Sequence, residues 1–495
     1  MNKIIVIGID GMDFQLVDQW KDELPVFSKM MKQEMFFPLE SVFPPDSVPS
    51  WATIYTGLNP MEHGVLHHVN YLSYGETKLN IDAFKGKTFW DVAGKQGKKV
   101  CIVNPFMAYP VWDVNGVMVN GPSFVSGNIQ SFPEDAVKKF NKLPNLGGLS
   151  DFPTKNTIED FIQINREDII SIKDFTFKLF KTDNYDLCFI TFLNLDRIQH
   201  FLWRYYDEND PTYPGKNQFS NTIKNFYIFF DNIIHKFQMT FPESVIMVLS
   251  DHGHGRRCTD VVNMNEFLRQ KGYLFSKADK ARLLSYKFII EKTKVFVLNL
   301  FYKYNIEDFL YKITPYIPYK KSLKESTFLI EPSENLAEID TQFGGVGSFG
   351  GIRINKAKIK NLGIEYTDFR KKIITEVKEL NNGIQGRDLF KWICVREDIY
   401  SGGYIEMYPD ILFELSPEYG ASPLLYTKIF SKNITHKKIS GGHRRYGILG
   451  LSNLSDGIKT KSPSLIQVAP TILDIMDCYQ DSDAENKSIL EKDSI

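Results

Sequence analysis

The stretch IIVIGIDGMD, residues 4–13, determines how the rest of the sequence is interpreted. Its first part, from Ile4 to Ile9, consists of β-branched residues and one glycine, a pattern typical of a strand buried on both faces of a parallel sheet. The apolar run ends at Asp10. Because ligands of open α/β sheets bind at the carboxyl ends of the strands, Asp10 is a candidate functional residue.

Apolar strands alternate with helical patterns over much of the remaining chain. Further strands are predicted at residues 99–104, 117–119, 187–193, 244–249, 351–354, 392–396 and 410–415. Helices are predicted at residues 14–32, 47–56, 88–97, 158–181, 222–237, 368–380 and 470–476. This alternation predicts an α/β fold with a doubly wound, mostly parallel central sheet and helices on both faces, plus a helical insertion and a small α/β subdomain.

Changes in composition divide the chain into predicted parts. These are the first part of the core at residues 1–275, a basic helical insertion at 276–335, a small α/β subdomain at 336–399, the second part of the core at 400–479 and a loose polar tail at 480–495. Residues 121–157, rich in Gly, Pro, Ser and Asn, form a candidate lid because long connections are often functional. Basic segments lie on anionic membranes or form solvated helix faces, so peripheral membrane contact through residues 276–325 is one of two alternatives.

The charge balance and the cysteines limit the class of protein. The 495 residues include 59 lysines and arginines and 60 aspartates and glutamates, so the net charge is −1 and no nucleic-acid polymer is expected as a partner. The 5 cysteines show no C-x-x-C spacing and are predicted to be reduced. The reduced cysteines favour a cytoplasmic protein, and no signal sequence is predicted. Because no apolar run reaches about 18 residues, no transmembrane helix is predicted either.

The segment PPDSVPSWATIYTG, residues 44–57, places a serine at the start of a predicted helix. Ser47 is followed two residues later by Pro49, and proline is favoured in the first helical turn. Free backbone N–H groups and the helix dipole stabilise an anion at this point. Ser47 is therefore a candidate nucleophile, and the alternative is a serine that only caps the helix.

Acids and histidines follow the other apolar runs of the sequence. They are Asp196, His200, Asp251, His252 and His443. Asp196 and His200 are four residues apart, so on a helix both side chains face one site. His443 lies in a glycine-rich segment that is predicted to be a loop. Together with Asp10, these mixed carboxylate and imidazole groups suit two zinc-like ions, and such a pair suits in-line displacement at phosphorus.

These motifs resemble those of the alkaline phosphatase superfamily, in particular its type I phosphodiesterase and nucleotide pyrophosphatase branch. The residues that carry the resemblance are GIDG at 8–11, PDSVP at 45–49, TGLNP at 56–60, HGV at 63–65, Asp196 with His200, SDHG at 250–253 and Gly442 with His443. The resemblance extends from Ile4 to about Met476, interrupted by residues 276–325. It implies an alkaline phosphatase-like fold and a metal-dependent hydrolase of phosphate esters.

The resemblance also implies roles for individual residues. One ion would be held by Asp10, Ser47, Asp251 and His252, and the other by Asp196, His200 and His443. The ions implied are two divalent cations, zinc first and manganese as the alternative. Ser47 would be the nucleophile and form a phosphoseryl intermediate, although family members often carry threonine there. His68 stands where they often have an asparagine that donates to the phosphoryl oxygen, so His68 is assigned to substrate binding.

The implied substrate is a small-molecule or lipid-linked phosphodiester. The first alternative is a phosphomonoesterase or phosphotransferase of the same superfamily, which would bind a third unesterified oxygen with a cation. The candidates for that cation are Arg197, Arg256, Arg257, Arg444 and Arg445. A non-catalytic binding protein is a further alternative, against which the complete ligand set argues. A sulfatase is disfavoured because Trp51 stands four residues after Ser47, where sulfatases have arginine.

Overall fold

The structure is a computed structural model that describes residues 3–66, 84–121, 127–140, 142–146, 153–275, 300, 334–340, 347–383, 388–425, 428–433, 435–478 and 487–491. The chain divides into two compact units. The first unit contains Met1–Gly255, Gly402–Tyr404 and Gly441–Ile495, and the second contains Arg256–Ser401 and Ile405–Ser440. The domain boundaries drawn from composition stay predictions.

The elements have the following bounds. The strands are β1 (Lys3–Ile9), β2 (Phe36–Glu40), β3 (Val100–Val103), β4 (Gly116–Asn120), β5 (Gln130–Phe132), β6 (Leu187–Phe192), β7 (Ser244–Leu249), β8 (Gly253–Arg256), β9 (Asp260–Asn263), β10 (Ala337–Ile339), β11 (Phe349–Ile354), β12 (Phe390–Val395), β13 (Ile411–Leu415), β14 (Tyr419–Ser422), β15 (Phe430–Lys432), β16 (Gly441–Arg444), β17 (Tyr446–Ser452), β18 (Gly457–Ile458) and β19 (Leu490–Glu491). The α-helices are α1 (Phe14–Gln19), α2 (Pro25–Lys32), α3 (Ser47–Thr56), α4 (Pro60–His63), α5 (Phe89–Lys95), α6 (Ile158–Phe180), α7 (Asn194–Tyr206), α8 (Thr222–Thr240), α9 (Met264–Gln270), α10 (Lys356–Asn361), α11 (Tyr366–Lys378) and α12 (Val468–Ile475). Short 3-10 helices lie at Lys21–Glu23, Glu379–Gly383, Arg396–Asp398, Ile405–Met407 and Leu465–Gln467.

The first unit is built on an eight-stranded sheet with the order β2-β17-β7-β1-β6-β3-β4-β5. The five inner strands from β7 to β4 run parallel, whereas β17, β2 and β5 are antiparallel to their neighbours. The predicted mostly parallel α/β fold is therefore confirmed. β1 lies between β6 and β7, with Ile9 opposite Phe192 and Gly8 opposite Leu249. The carboxyl ends of these three strands consequently meet at one edge.

Alternate residues of β1 belong to different hydrophobic clusters on the two faces of the sheet. Ile5 and Ile7 pack in the cluster that contains residues of α6 and α8. Ile4 and Val6 pack in the cluster that contains residues of α3 and α12. Burial on both faces explains why this strand is a continuous apolar run without polar alternation.

The single helix predicted at residues 14–32 is wrong, because the structure has two helices there. α1 ends at Gln19, a short 3-10 helix covers Lys21–Glu23, and α2 begins at Pro25. Proline has no N–H to donate to a preceding helical turn, and it disfavours helical dihedral angles at the residue before it. Leu24 accordingly has φ −121° and ψ 74°.

The loop predicted at residues 440–447 is also wrong, because His443 lies on a strand. β16 pairs with β8, and β17 joins the central sheet beside β7. The glycines that favoured a loop instead allow close backbone approach. A Cβ at Gly441 would lie 2.3 Å from the carbonyl oxygen of Gln199, and one at Gly447 would lie 2.7 Å from that of Ser250.

The second unit contains a four-stranded sheet, in the order β10-β11-β13-β12, and a three-stranded sheet, in the order β14-β9-β15. Side chains of α10 and α11 pack with those of the larger sheet in one hydrophobic cluster, through residues such as Ile359, Phe369 and Ile373. The strands predicted at 351–354 and 392–396 and the helix predicted at 368–380 are present here with shifted ends.

Several predicted segments lie partly or wholly outside the described residues. Of the basic insertion, the structure describes only residues 300, 334 and 335, so its membrane contact stays a prediction. Within the candidate lid, β5 joins the edge of the central sheet. The prediction of a loose tail is wrong for part of the tail, because β19 pairs with β18 and Leu490 is buried. Among the described residues, no helix has both the length and the hydropathy that a membrane span requires.

Gly8→Ala is expected to destabilise the protein. A Cβ at Gly8 would lie 2.5 Å from Cη2 of Trp51, whose buried indole also donates a hydrogen bond to Asp10. Overpacking of this kind costs about 1–3 kcal/mol, and urea denaturation should show a free energy of unfolding lowered by that amount. Gly403→Ala is the control, because no atom lies within 4 Å of a Cβ there. Equal stability of the two variants would contradict the prediction.

Candidate functional site

The predicted acids and histidines come together at the carboxyl edge of the central sheet. The residues concerned are Asp10, Ser47, Asp196, His200, Asp251, His252 and His443, and all of them lie in the first unit. Asp10 follows β1 directly, Asp251 follows β7 after one residue, and Asp196 lies in the first turn of α7, which begins after β6. Since these three strands are neighbours in the sheet, their following residues are brought to one place.

Ser47 is the first residue of α3, and its hydroxyl faces the acids and histidines. Its Oγ lies 3.1 Å from Nε2 of His252 and 3.4 Å from Oδ1 of Asp10. The alternative role as a helix cap is taken by Asp46, whose Oδ1 accepts a hydrogen bond from the N–H of Val48 at 3.0 Å. The Ser47 hydroxyl is therefore not needed to cap the helix and is available for chemistry in the site.

Asp10 and Asp251 each have one oxygen held by a donor and one that faces the site. The indole N–H of Trp51 donates to Oδ2 of Asp10 at 2.9 Å, and the N–H of Gly11 donates to Oδ1 of Asp251 at 3.2 Å. The other oxygens, Oδ1 of Asp10 and Oδ2 of Asp251, lie 3.7 Å and 3.3 Å from Nε2 of His252. Oδ2 of Asp251 is buried and has no hydrogen-bond partner among the described residues.

Three histidines are oriented by backbone carbonyl groups. Nδ1 of His200 lies 3.0 Å from the carbonyl oxygen of Gly441. Nδ1 of His252 lies 3.0 Å from that of Gly253, and Nδ1 of His443 lies 2.8 Å from that of Pro45. A neutral imidazole that donates from Nδ1 keeps its lone pair on Nε2. These hydrogen bonds therefore assign Nε2 of all three rings as the atom available to a metal ion.

Asp196 lies opposite the Nε2 atoms of two of these rings. Its Oδ2 is 3.2 Å from Nε2 of His200, and its Oδ1 is 3.5 Å from Nε2 of His443. The two Nε2 atoms are 3.0 Å apart. Two lone pairs that face each other at this distance repel unless a proton or a cation lies between them.

The spacing of the donor atoms fits divalent metal ions. Ligands bound to one tetrahedral zinc ion at about 2.0–2.1 Å are about 3.3 Å from each other. The measured contacts are 3.1–3.7 Å in the group of Asp10, Ser47, Asp251 and His252. In the group of Asp196, His200 and His443 they are 3.0–3.5 Å. The residues present therefore fit two ions of this kind.

The acids of the first group are destabilised in their charged form. Burial, together with the charge of Asp196, raises the pKa of Asp251 to about 7, although the hydrogen bond from the N–H of Gly11 lowers it. Burial and the neighbouring charges of Asp251 and Asp196 raise the pKa of Asp10 well above its ordinary value. A cation bound between these carboxylates would compensate the cost of their ionisation.

The second group is electrostatically different. Burial by itself would raise the pKa of Asp196, but the facing imidazoles of His200, His254 and His443 hold it well below its ordinary range. Burial opposes the charge on His443, but the negative charge of Asp196, whose Oδ1 lies 3.5 Å from Nε2, outweighs burial and raises the pKa of His443 to about 9. His443 therefore keeps a proton at neutral pH until a metal ion displaces it.

Zinc binding is expected to release protons and to strengthen as the pH rises. Asp251, with a pKa of about 7, and His443, with a pKa of about 9, must both lose their protons to become ligands. From about pH 6 to about pH 8, affinity should rise about tenfold per pH unit for each proton displaced. Calorimetric titration in buffers of different ionisation enthalpy counts the protons released. An affinity that does not change with pH would contradict the assignment.

Two residues near the site were not identified from the sequence as part of it. The sequence pattern does not place Trp51 at the site, although its indole N–H donates a hydrogen bond to Asp10. His254, on β8, is buried with Nδ1 3.2 Å from Oδ1 of Asp196. The signal available in the sequence is a second histidine only two residues after His252, which places it close to the Asp251–His252 pair. His68, assigned to substrate binding, lies outside the described residues.

The candidate cations have different surroundings. Arg256 and Arg257 belong to the second unit. Arg445 forms a salt bridge with Glu40, and Arg444 donates a hydrogen bond to the carbonyl oxygen of His443 at 3.1 Å. Arg197 follows Asp196 in α7 and interacts electrostatically with Asp196, Asp168 and Asp10. The charge of Arg197 thus interacts with those of two candidate metal ligands.

Comparisons with known proteins identify the family and the fold of the chain. Residues 4–315 match the sequence model of the family described as type I phosphodiesterase / nucleotide pyrophosphatase. A stretch of 104 residues is 29% identical to human ectonucleotide pyrophosphatase/phosphodiesterase family member 1. This match covers 19% of the present chain and 11% of the human protein.

Two solved structures of phosphonoacetate hydrolase from Sinorhizobium meliloti 1021 are similar over 96% of both chains. The complex with phosphonoformate superimposes with a TM-score of 0.52 at 14% sequence identity. The complex with phosphonoacetate gives a TM-score of 0.51 at 12% identity. At these identities the likeness shows a common fold.

Proposed function

Because the chain belongs to the type I phosphodiesterase / nucleotide pyrophosphatase family, we propose that it hydrolyses phosphodiesters with Ser47 as the nucleophile. One observation carries the proposal. The Ser47 hydroxyl lies at the start of α3, 3.1 Å from Nε2 of His252 and 3.4 Å from Oδ1 of Asp10, while Asp46 caps the helix. This arrangement supports a hydroxyl that reacts and argues against one that only satisfies the backbone.

Two divalent ions, zinc or manganese, fit the donor groups described above. We assign one to Asp10, Ser47, Asp251 and His252 and the other to Asp196, His200 and His443. When bound, such ions supply a lower pKa for the hydroxyl, an activated water and stabilisation of the negative phosphoryl oxygens.

The reaction proceeds in two displacements in which the chain supplies the nucleophile. Oγ of Ser47 loses its proton to solvent and attacks phosphorus, the bond from phosphorus to the leaving oxygen breaks, and that oxygen takes up a proton from solvent. The phosphoryl group, with its remaining ester substituent, is then held on Ser47. Water attacks the same phosphorus and gives up a proton, the bond to Oγ breaks, and Oγ takes up a proton, so one water is consumed and Ser47 is restored. The N-terminus of α3 favours the negative charge of the phosphoryl group throughout.

Fixed donors keep the acids in place during these steps. Trp51 holds Asp10, and the backbone N–H of Gly11 holds Asp251. Both carboxylates are almost completely buried, so their orientations do not depend on solvent. Such preorganisation limits the reorganisation that would otherwise raise the barrier.

The substrates we propose are small phosphodiesters, including the diester-like bonds of nucleotide pyrophosphates that the name of the human relative describes. Lipid-linked phosphodiesters are a second source of the same chemistry. A monoesterase or phosphotransferase would need a cation for the third unesterified oxygen. Arg197 is the candidate for that role, because its charge interacts with those of Asp196 and Asp10.

The purified enzyme is expected to prefer a diester to a monoester. With zinc or manganese bound, kcat/KM for bis-para-nitrophenyl phosphate should exceed that for para-nitrophenyl phosphate by at least about tenfold, since a monoester brings a second negative charge that the diester lacks. Initial rates over a range of concentrations measure both constants. A preference for the monoester that is lost in Arg197→Met would identify a monoesterase instead.

Metal analysis separates an enzyme from a binding protein of the same fold. The proposal requires two bound ions in protein dialysed against zinc or manganese. A chain that binds neither ion, together with an inactive substrate panel, would favour the non-catalytic alternative.

A further inference from the structure

His254 is a buried imidazole that the proposed mechanism does not use. It lies on β8 with 2% of its surface exposed, and neither Nδ1 nor Nε2 has a hydrogen-bond partner among the described residues. Its backbone is fixed, because its N–H donates to Oδ2 of Asp13 at 3.1 Å. Leaving a buried polar group without a partner costs free energy, so a ligand for this ring explains its position.

The ring makes a close contact of the kind expected between two ligands of one ion. Nδ1 of His254 lies 3.2 Å from Oδ1 of Asp196, but the pair lacks hydrogen-bond geometry. The same holds for Nε2 of His252 and Oδ2 of Asp251, which are 3.3 Å apart. Two donors bound to a common cation point at the cation and not at each other, which produces short contacts without hydrogen-bond direction.

The arrangement of the rings gives a second, independent measure. Three imidazoles bound to one tetrahedral zinc ion have ring centroids about 5.2 Å apart, given the usual zinc–nitrogen distance. The centroid of His200 lies 4.6 Å from that of His254 and 5.0 Å from that of His443, and the last two are 5.9 Å apart. The three rings are therefore spaced around a common point beside Asp196.

We propose that Nδ1 of His254 is a further metal ligand, which joins Asp196, His200 and His443 at the second ion. This inference rests on the proposed function and deepens it. The ligand atoms available in Asp196, His200 and His254 all lie within 4.8 Å of one another. The second site then offers three nitrogens and one carboxylate, and the water or substrate oxygen of the proposed reaction would bind as a fifth ligand, a coordination number that zinc can reach.

The two sites consequently differ in the metal that they prefer. The site with Ser47 offers three oxygens and one nitrogen, from Asp10, Ser47, Asp251 and His252. Imidazole suits zinc, whereas carboxylate and other oxygen ligands suit manganese. The His254 site therefore selects zinc, and the Ser47 site accepts either ion.

Nuclear magnetic resonance of the full chain tests the ligand directly. The imidazoles are labelled with ¹⁵N, and the metal-free protein is loaded with ¹¹³Cd as a substitute for zinc. A one-bond coupling between cadmium and nitrogen arises only where the nitrogen binds the ion. Of the 9 histidines, four should show this coupling, three through Nε2 and one through Nδ1.

The outcomes separate this inference from the proposed function. Coupling at three histidines, with a proton on Nδ1 of the fourth ring, would overturn the role of His254 as a ligand while leaving the two-ion site intact. Absence of coupling at every histidine would remove the metal basis of the proposed function as well. Counting the histidines that couple to cadmium requires no variant, so the result does not depend on whether a substituted protein folds.

A second readout uses zinc affinity. His254→Gln should raise the dissociation constant of one zinc ion by at least about tenfold and leave the other within a few-fold. In this variant the Nδ1-type coupling should disappear from the cadmium spectrum. His235→Gln is the matched control, because His235 is exposed on α8. Unchanged zinc binding in His254→Gln would contradict the inference.

Discussion

Ser47→Ala is expected to lower kcat/KM for a phosphodiester by a factor on the order of 10³–10⁶, the range seen when a catalytic nucleophile is removed. The loss follows because no other described hydroxyl is placed between Asp10 and His252 as Oγ of Ser47 is. Because Ser47 is also an assigned ligand, the assay is made with excess zinc. Steady-state rates and the bound metal are measured on the same sample.

Two variants make this result specific. Ser47→Thr keeps the hydroxyl and should retain substantial activity. Ser50→Ala removes a hydroxyl from the same helix, but one that contacts Oγ of Ser41 at 3.1 Å and not the site, so its activity should stay within a few-fold of the wild type. Wild-type rates in Ser47→Ala would show that the nucleophile is another group, or that the activity belongs to a contaminant.

Asp251→Asn is expected to abolish activity while stabilising the metal-free protein. One oxygen of Asp251 is held by the N–H of Gly11, and the other is buried without a partner among the described residues, so under the proposed assignment the variant loses a charged ligand. Zinc content should fall from two ions to one per chain, and kcat/KM should fall by at least about a thousandfold.

The substitution should stabilise the metal-free protein, although it abolishes activity, because the folded-state pKa of Asp251 is raised to about 7. Without metal, the native state retains this proton to a higher pH than the unfolded chain, in which the pKa is about 3.9. The contribution of Asp251 to stability is thus fully present below about pH 4 and is lost as the pH rises through about 7. Asparagine resembles the protonated form at every pH.

Melting curves test both halves of this prediction. At about pH 8 with a chelator, Asp251→Asn should have a Tm a few degrees above that of the wild type, about 1–2 °C for each kcal/mol in a protein of this size. Added zinc should raise the Tm of the wild type by more than that of the variant. Asp22→Asn, at an exposed position of the first unit, should change neither value. A variant that binds two zinc ions would contradict the assignment.

The sequence predicted the part of the site that follows from local pattern. Asp10 and Asp251 stand at the ends of apolar strands, and neighbouring parallel strands bring such ends together. The four-residue spacing of Asp196 and His200 places both on one face of α7. Each of these inferences needs only the strand or helix in which the residue lies.

The rest depends on contacts between distant segments. His443 was expected in a loop, because glycines that allow close backbone approach look the same in sequence as glycines that form turns. The carbonyl partner of its Nδ1 belongs to Pro45, 398 residues away in the chain. Likewise, nothing local indicates that the Trp51 indole reaches Asp10.

The position of β17 has a consequence for how the protein is made. β17 covers one side of β7 and follows His443, so both come from a part of the chain that the ribosome synthesises after the whole second unit. Until then β7, all of whose residues are buried in the finished protein, is an open edge that invites association with other chains. A growing chain would therefore expose this edge, and it cannot complete the proposed second ion site before His443 is synthesised.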